Sequence, residues 1–207
     1  MNVKINKATT DDSDFISKMI LFSSRADKKF GLFDYLFEVS SEEELLKKIQ
    51  LLVVDESKCY CHYSNFLVAN VDGKNVGTLC TYEPRVATKE KFIQALKNTG
   101  CDNKIDEKLN ILKNCEFDIN HATLMFDFLE ELDGYVDVGI LKALMQKSLL
   151  NARLKGYRIA QSIVEIGSLE RELFYEKLGF NKKDSKECET YKEIFGRVGV
   201  NLFELEF

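Results

Sequence analysis

A strand-type run, a long amphipathic helix and a second strand-type run follow one another between residues 122 and 166. Residues 122–132 read ATLMFDFLEEL and end at Asp133-Gly134. Ile140, Leu141, Leu144, Met145, Leu149 and Ala152 then form an apolar stripe at helical spacing, which predicts a helix from about Val138 to Leu154. Gly156 ends it, and residues 157–166 form another strand. Two strands joined through a helix lie side by side only as a crossover unit of fixed hand. This β-α-β unit constrains the chain more than any other segment.

The elements around it are of the other kind. Residues 3–8, VKINKA, alternate as a short strand, and Phe15, Ile16, Met19, Ile20 and Phe22 follow at near-helical spacing behind cap-type residues 9–12. Residues 24–40 give no clear signal. Ser40 or Ser41, with Glu43 and Glu44 behind it, opens a second helix through about Leu52. NFLVANV (65–71) and NVGTLCTY (75–82) flank Asp72-Gly73, the signature of an antiparallel hairpin. Residues 85–121 read as an insertion of two helices, one at Phe92, Ile93 and Leu96 and one at Leu109 and Leu112. Such a pair is the material of a lid, of a homodimer surface or of a plain surface decoration. A short helix runs from Gly167-Ser168 to Gly179, and the tail from about 182 to 207 reads as two strands.

The order predicts a mixed α/β fold with one mostly antiparallel central sheet of about six or seven strands. Helices cover both faces, and residues 1–207 form a single domain. Apolar residues at 45% and charged residues at 30% exclude a largely disordered chain. The net charge of −5 argues against a nucleic-acid partner. No apolar run reaches ~18 residues, so no membrane partner is expected. The polar start MNVKINKATTDDSDF lacks the apolar stretch of a signal peptide, and the expected location is the cytoplasm. In a reducing compartment Cys59, Cys61, Cys80, Cys101, Cys115 and Cys188 are all expected as thiols. Cys59-Tyr60-Cys61-His62 lacks a second ligand pair, so no metal is expected.

The segment SLERELFYEKLGF (168–180) resembles the closing motif of the GNAT superfamily, the acyl-CoA-dependent N-acyltransferases. That motif runs approximately Asn-x-x-Ala-x-x-x-Tyr-x-Lys-x-Gly-Phe. Tyr175, Lys177, Gly179 and Phe180 fall in register, while Ser168 stands for the usual Asn and Arg171 for the usual Ala. The element order is also similar to that superfamily over the whole chain. A second family motif, Arg/Gln-x-x-Gly-x-Gly/Ala, follows the central strand and wraps the CoA pyrophosphate. Here it corresponds to YVDVGIL (135–141), with Gly139 at the first glycine, Val136 for the Arg/Gln and Leu141 for the second glycine. Backbone donors at a helix start suit a dianion without any family argument. Leu141 adds bulk there, and Asp137 adds negative charge.

The resemblance implies direct transfer of an acetyl group from acetyl-CoA to an amine, on a small molecule or exposed on a protein. It implies a cofactor-binding set of Leu132, Val136, Asp137, Val138, Gly139, Ile140, Leu141, Lys142 and Ser168. It makes Tyr175 the acid that protonates the departing sulfur, since a phenol of pKa ~10 stays protonated at neutral pH. It makes Glu130 or Glu131 the carboxylate that takes the amine proton, with Asp127 a secondary candidate. Strict alternation puts Glu130 on the face of Phe126 and Phe128, unless a bulge of the kind common in this family intervenes. Tyr82 is a candidate for the acceptor site. The alternative is a catalytically weak or inactive GNAT-fold module that binds acyl-CoA for regulation, which the altered pyrophosphate turn favours.

Overall fold

The computed structural model describes residues 2–101, 104–119 and 123–206. Seven strands form one sheet: β1 (Val3–Lys7), β2 (Phe66–Val71), β3 (Lys74–Tyr82), β4 (Leu124–Glu131), β5 (Ile159–Glu165), β6 (Asn181–Glu187) and β7 (Gly199–Glu206). Their spatial order is β1-β2-β3-β4-β5-β7-β6, and every neighbouring pair is antiparallel except β4 with β5. That one parallel pair is the β-α-β unit, with α6 (Ile140–Leu154) as its crossover. The β2–β3 hairpin turns through Asp72 and Gly73, both at positive φ (50° and 92°), as a two-residue hairpin loop requires.

The remaining helices are α1 (Ser13–Arg25), α2 (Leu32–Phe37), α3 (Glu42–Val54), α4 (Lys89–Asn98), α5 (Ile105–Leu112), α7 (Leu169–Lys177) and α8 (Glu189–Phe195). Helix α3 starts as its sequence predicts. The Ser41 side chain accepts from the Glu44 N–H, and Glu42, Glu43 and Glu44 sit at the positive end of the helix dipole. The two faces of the sheet carry separate cores. One packs α1 to α5 against Phe66, Val68, Cys80 and Phe128. The other packs α6 and α7 against Leu67, Leu79, Phe126, Leu129 and Phe203.

Three expectations change. The insertion is no surface decoration, because Phe92, Ala95, Leu96, Ile105 and Leu109 are buried in the first core. The tail is not two consecutive strands: α8 stands between β6 and β7, and Gly196 closes it at φ 68°. Its seven residues bury only Phe195, too little for a helical stripe to show in the sequence. Finally, Cys115 and Cys188 form a disulfide with their Cα atoms 5.5 Å apart. It fastens the end of the insertion to the start of α8. The fold brings together two cysteines 73 residues apart, which spacing alone does not reveal. Cys59, Cys61, Cys80 and Cys101 remain thiols. Among the described residues no helix is long and apolar enough to cross a membrane.

Candidate active site

Strands β4 and β5 pair only from Leu124 to Phe126 against Ala160 to Ser162. Beyond that point β5 stays bonded to β7 as far as Glu165, and β4 stays with β3. The carboxyl ends of β4 and β5 therefore part. A cleft of about 450 Å³ opens there, walled by the end of β4, the start of α6, β5 and α7.

A β-bulge shapes the β4 wall. Thr78 pairs with Glu130, but Cys80 pairs with Asp127, so β4 carries one extra residue. Phe128 takes up the difference at φ 46°, a backbone region that bulky side chains rarely adopt. Its carbonyl accepts from the Thr78 hydroxyl at 3.0 Å, and its N–H donates to Asp127 Oδ1 at 2.7 Å. Its ring packs against Phe66 and Tyr60 at 5.9 and 6.0 Å. The bulge corrects the simple alternation: Phe126 lies in one core and Phe128 in the other.

Glu130 and Glu131 both line the cleft, and the bulge sets their neighbours. Glu130 forms an ion pair with Arg171 of α7, and Arg171 also donates to Ser23 Oγ at 3.3 Å. Burial pushes the Glu130 carboxyl up, and Arg171 pulls it back. Arg171 is a cleft residue to which sequence reasoning gave no role. Its one signal was its departure from the small residue usual in the family motif. Asp127 is half-buried at the cleft, and burial pushes its carboxyl up to about 6 against the pull of the Phe128 N–H and Arg171. That places it near neutral pH, the range suited to a proton acceptor.

Tyr175 also lines the cleft, opposite β4. Its ring is buried between Phe180 at 5.1 Å and Phe203 at 6.0 Å. Burial raises its phenol to about 12, and a hydrogen bond with Ser162 opposes that. The hydroxyl is therefore protonated over the whole physiological range. Tyr175 is packed as firmly as any core aromatic and still presents its polar end to the cleft.

The predicted cofactor turn is a single 3-10 turn, Val136–Val138, followed by Gly139 at φ 78°. The first bond of α6 runs from the Ala143 N–H to the Gly139 carbonyl, so the N–H groups of residues 140–142 are the unpaired donors of the helix start. Val136, Gly139, Leu141, Lys142 and Ser168 line the cleft. No atom lies within 4 Å of where a Gly139 Cβ would stand, so the backbone is open to close approach. Three predicted residues contribute differently. The Ile140 side chain is fully buried against Gly77, Val138 packs on the second core, and the Leu132 N–H donates to the Val76 carbonyl at 2.8 Å to end β4. The Asp137 side chain lies outside the described residues. Open backbone, helix-start donors and the Lys142 ammonium fit a pyrophosphate.

No protein-family model and no curated protein sequence matches the chain. Solved structures do. An N-acetyltransferase from Staphylococcus aureus Mu50 superposes with a TM-score of 0.74 at 16% identity, covering 98% of this chain and 100% of its own. A GCN5-related N-acetyltransferase from Kribbella flavida gives 0.60 at 14%, covering 99% and 98%. PaiA N-acetyltransferase from Thermoplasma acidophilum, in complex with coenzyme A, gives 0.54 at 15%, covering 100% of both chains. The fold of this chain is that of the GNAT superfamily, the GCN5-related N-acetyltransferases.

Proposed function

We propose that the protein is an N-acetyltransferase that transfers an acetyl group from acetyl-CoA directly to an amine. The observation that carries this is the cleft between β4 and β5, where an open helix start, a bulged strand with carboxylates and a protonated Tyr175 face one another. Acetyl-CoA supplies the activated acyl thioester. The N–H groups of residues 140–142, with Lys142, receive its pyrophosphate. Tyr175 donates a proton to the departing sulfur, and a β4 carboxylate accepts one from the amine. The amine belongs to a small molecule or an exposed protein site; nucleic acid and membrane play no part. Two cores on one sheet support reading 1–207 as a single domain. A cytoplasmic location goes with this function; the four thiols fit it, and the Cys115–Cys188 disulfide, a bond rare in reducing compartments, argues against it.

One observation favours a second reading, an acyl-CoA-binding module without turnover. The Arg171–Glu130 pair spans the cleft and engages a candidate base. Calorimetric titration with acetyl-CoA and release of CoA against an amine panel separate the two. Binding with release supports the enzyme, binding without release supports the module, and no binding at millimolar acetyl-CoA overturns both.

A further inference from the structure

A second cavity, of about 540 Å³, lies on the other side of the sheet. Its walls include Tyr60, Tyr82, Phe92, Leu112, Met125 and Tyr191. The Tyr60 ring stands 5.3 Å from that of Tyr82 and 4.7 Å from that of Phe92. Cys115, fixed to Cys188 by the disulfide, closes one side. Among the described residues that line it, Lys89 carries the only positive charge, and Lys89 is paired with Glu116 at 2.8 Å. Glu90 and Asp118 leave the rim acidic.

The cavity is not isolated from the cleft. Ile163 of β5 lines both, just past the last residue that pairs β5 with β4. Asp127 stands two residues along β4 from Met125 of the cavity wall, and itself lines the cleft. Burial above all, with the Asp127 charge adding, pushes the Tyr60 and Tyr82 phenols up. Asp127, on the same face of β4 as Met125, therefore lies between the aromatic chamber and the cleft, where the two strands part.

We propose that this chamber is the acceptor site and takes a small primary amine with an aromatic or branched apolar body, its amino group reaching Asp127. The proposal rests on the acetyltransferase reading and names the substrate class of that reaction. Among the described lining residues an anionic acceptor finds no unpaired cation. A polyamine finds carboxylates only at the rim, in Glu90 and Asp118, and would leave an inner ammonium group against the Phe92, Leu112 and Met125 walls, which is costly without a partner. An arylalkyl amine lays its body against the aromatic walls and brings one positive charge to one carboxylate, past tyrosine faces that attract cations. Asp127 takes one proton from the ammonium, freeing the nitrogen lone pair. The N–C bond then forms and the C–S bond breaks. The nitrogen loses its second proton to solvent, and the sulfur gains one from Tyr175, which solvent reprotonates. Asp127 returns its proton to solvent, so one proton is released for each amide formed.

The test uses the full chain with acetyl-CoA and 2-phenylethylamine, spermidine and a lysine-containing peptide as competing acceptors, with products resolved by mass spectrometry. The expected result is a kcat/KM for 2-phenylethylamine at least 100-fold above the other two. Ile119→Trp, placed on the chamber wall, is expected to raise its KM at least tenfold with acetyl-CoA affinity unchanged. Asp127→Asn is expected to slow single-turnover transfer at least 100-fold. Should Ile119→Trp not fold, saturation-transfer NMR of 2-phenylethylamine on the wild type reads the same site through contacts to tyrosine ring protons. Acetyl-CoA binding combined with preference for spermidine or peptide overturns the proposal and leaves the acetyltransferase reading standing. So does an Asp127→Asn rate within threefold of wild type. Absence of acetyl-CoA binding overturns the reading and this proposal with it.

Discussion

On the α6–α7 side the sheet carries a charged cleft; on the α1–α5 side it carries a chamber walled by tyrosine and phenylalanine. Most of the cleft comes from one β-α-β unit and the helix after it, a run of 54 residues from Leu124 to Lys177, with Ser23, Ala26 and Asp27 at the end of α1 added. The chamber draws on residues as distant as Leu32 and Val200, and on the insertion between β3 and β4. A binding surface built by one contiguous unit leaves motifs in the sequence. One assembled from distant segments leaves residues without a pattern. The two regions also differ in what holds them. Helix α6 and the sheet fix the cleft, while a covalent bond ties the chamber's side to α8.

That difference predicts an asymmetric response to reduction, which is the largest effect expected. Closing a loop across 73 residues of sequence separation stabilises by about 4 kcal/mol in the chain-entropy account. Cys115→Ser with Cys188→Ser should lower the urea midpoint accordingly and weaken amine binding, with acetyl-CoA affinity preserved. Equal loss of both affinities would show that the two regions do not stand independently.

Asp127, at the junction, comes next. Its folded pKa of about 6 lies above the ordinary carboxylate value. The folded state therefore holds a proton that the unfolded state has released between about pH 4 and 6. Stability falls as pH rises through that window, by up to about 3 kcal/mol in total. Asp127→Asn should raise the Tm at pH 8 and flatten its pH dependence below that, while single-turnover transfer is lost. Wild-type transfer should increase through pH ~6 as the base ionises. A Tm at pH 8 equal to that of wild type would mean that the carboxylate is not penalised by burial.

Tyr175→Phe tests the cleft alone. It removes one oxygen and keeps the stack on Phe180 and Phe203. Single-turnover transfer should fall by roughly 10²-fold, with acetyl-CoA affinity nearly unchanged. An unchanged rate would leave Tyr175 a packing residue. The smallest effect belongs to Leu141→Gly at the helix start, where added room should tighten CoA binding several-fold. It should also cost about 1 kcal/mol of helix stability, read from a separate melt. Weaker binding would show that Leu141 contacts the ligand instead of crowding it.

The periodicities of single elements settled much of this protein before any coordinate. The apolar stripe from Ile140 to Ala152, the Asp72-Gly73 hairpin and the Ser41 cap each bury or satisfy groups within a few residues, so local sequence specifies them. Tyr175 was legible for the same reason, through its fixed spacing from Gly179 and Phe180. The tertiary structure decided the rest. Phe128 leaves the face of Phe126 because the cores on the two sheet faces claim different side chains, and only an extra residue in β4 satisfies both. Arg171 meets Glu130 across 41 residues, and Cys115 meets Cys188 across 73. Register and long-range pairing depend on how whole elements pack, and no window of sequence short enough to show a period contains both partners.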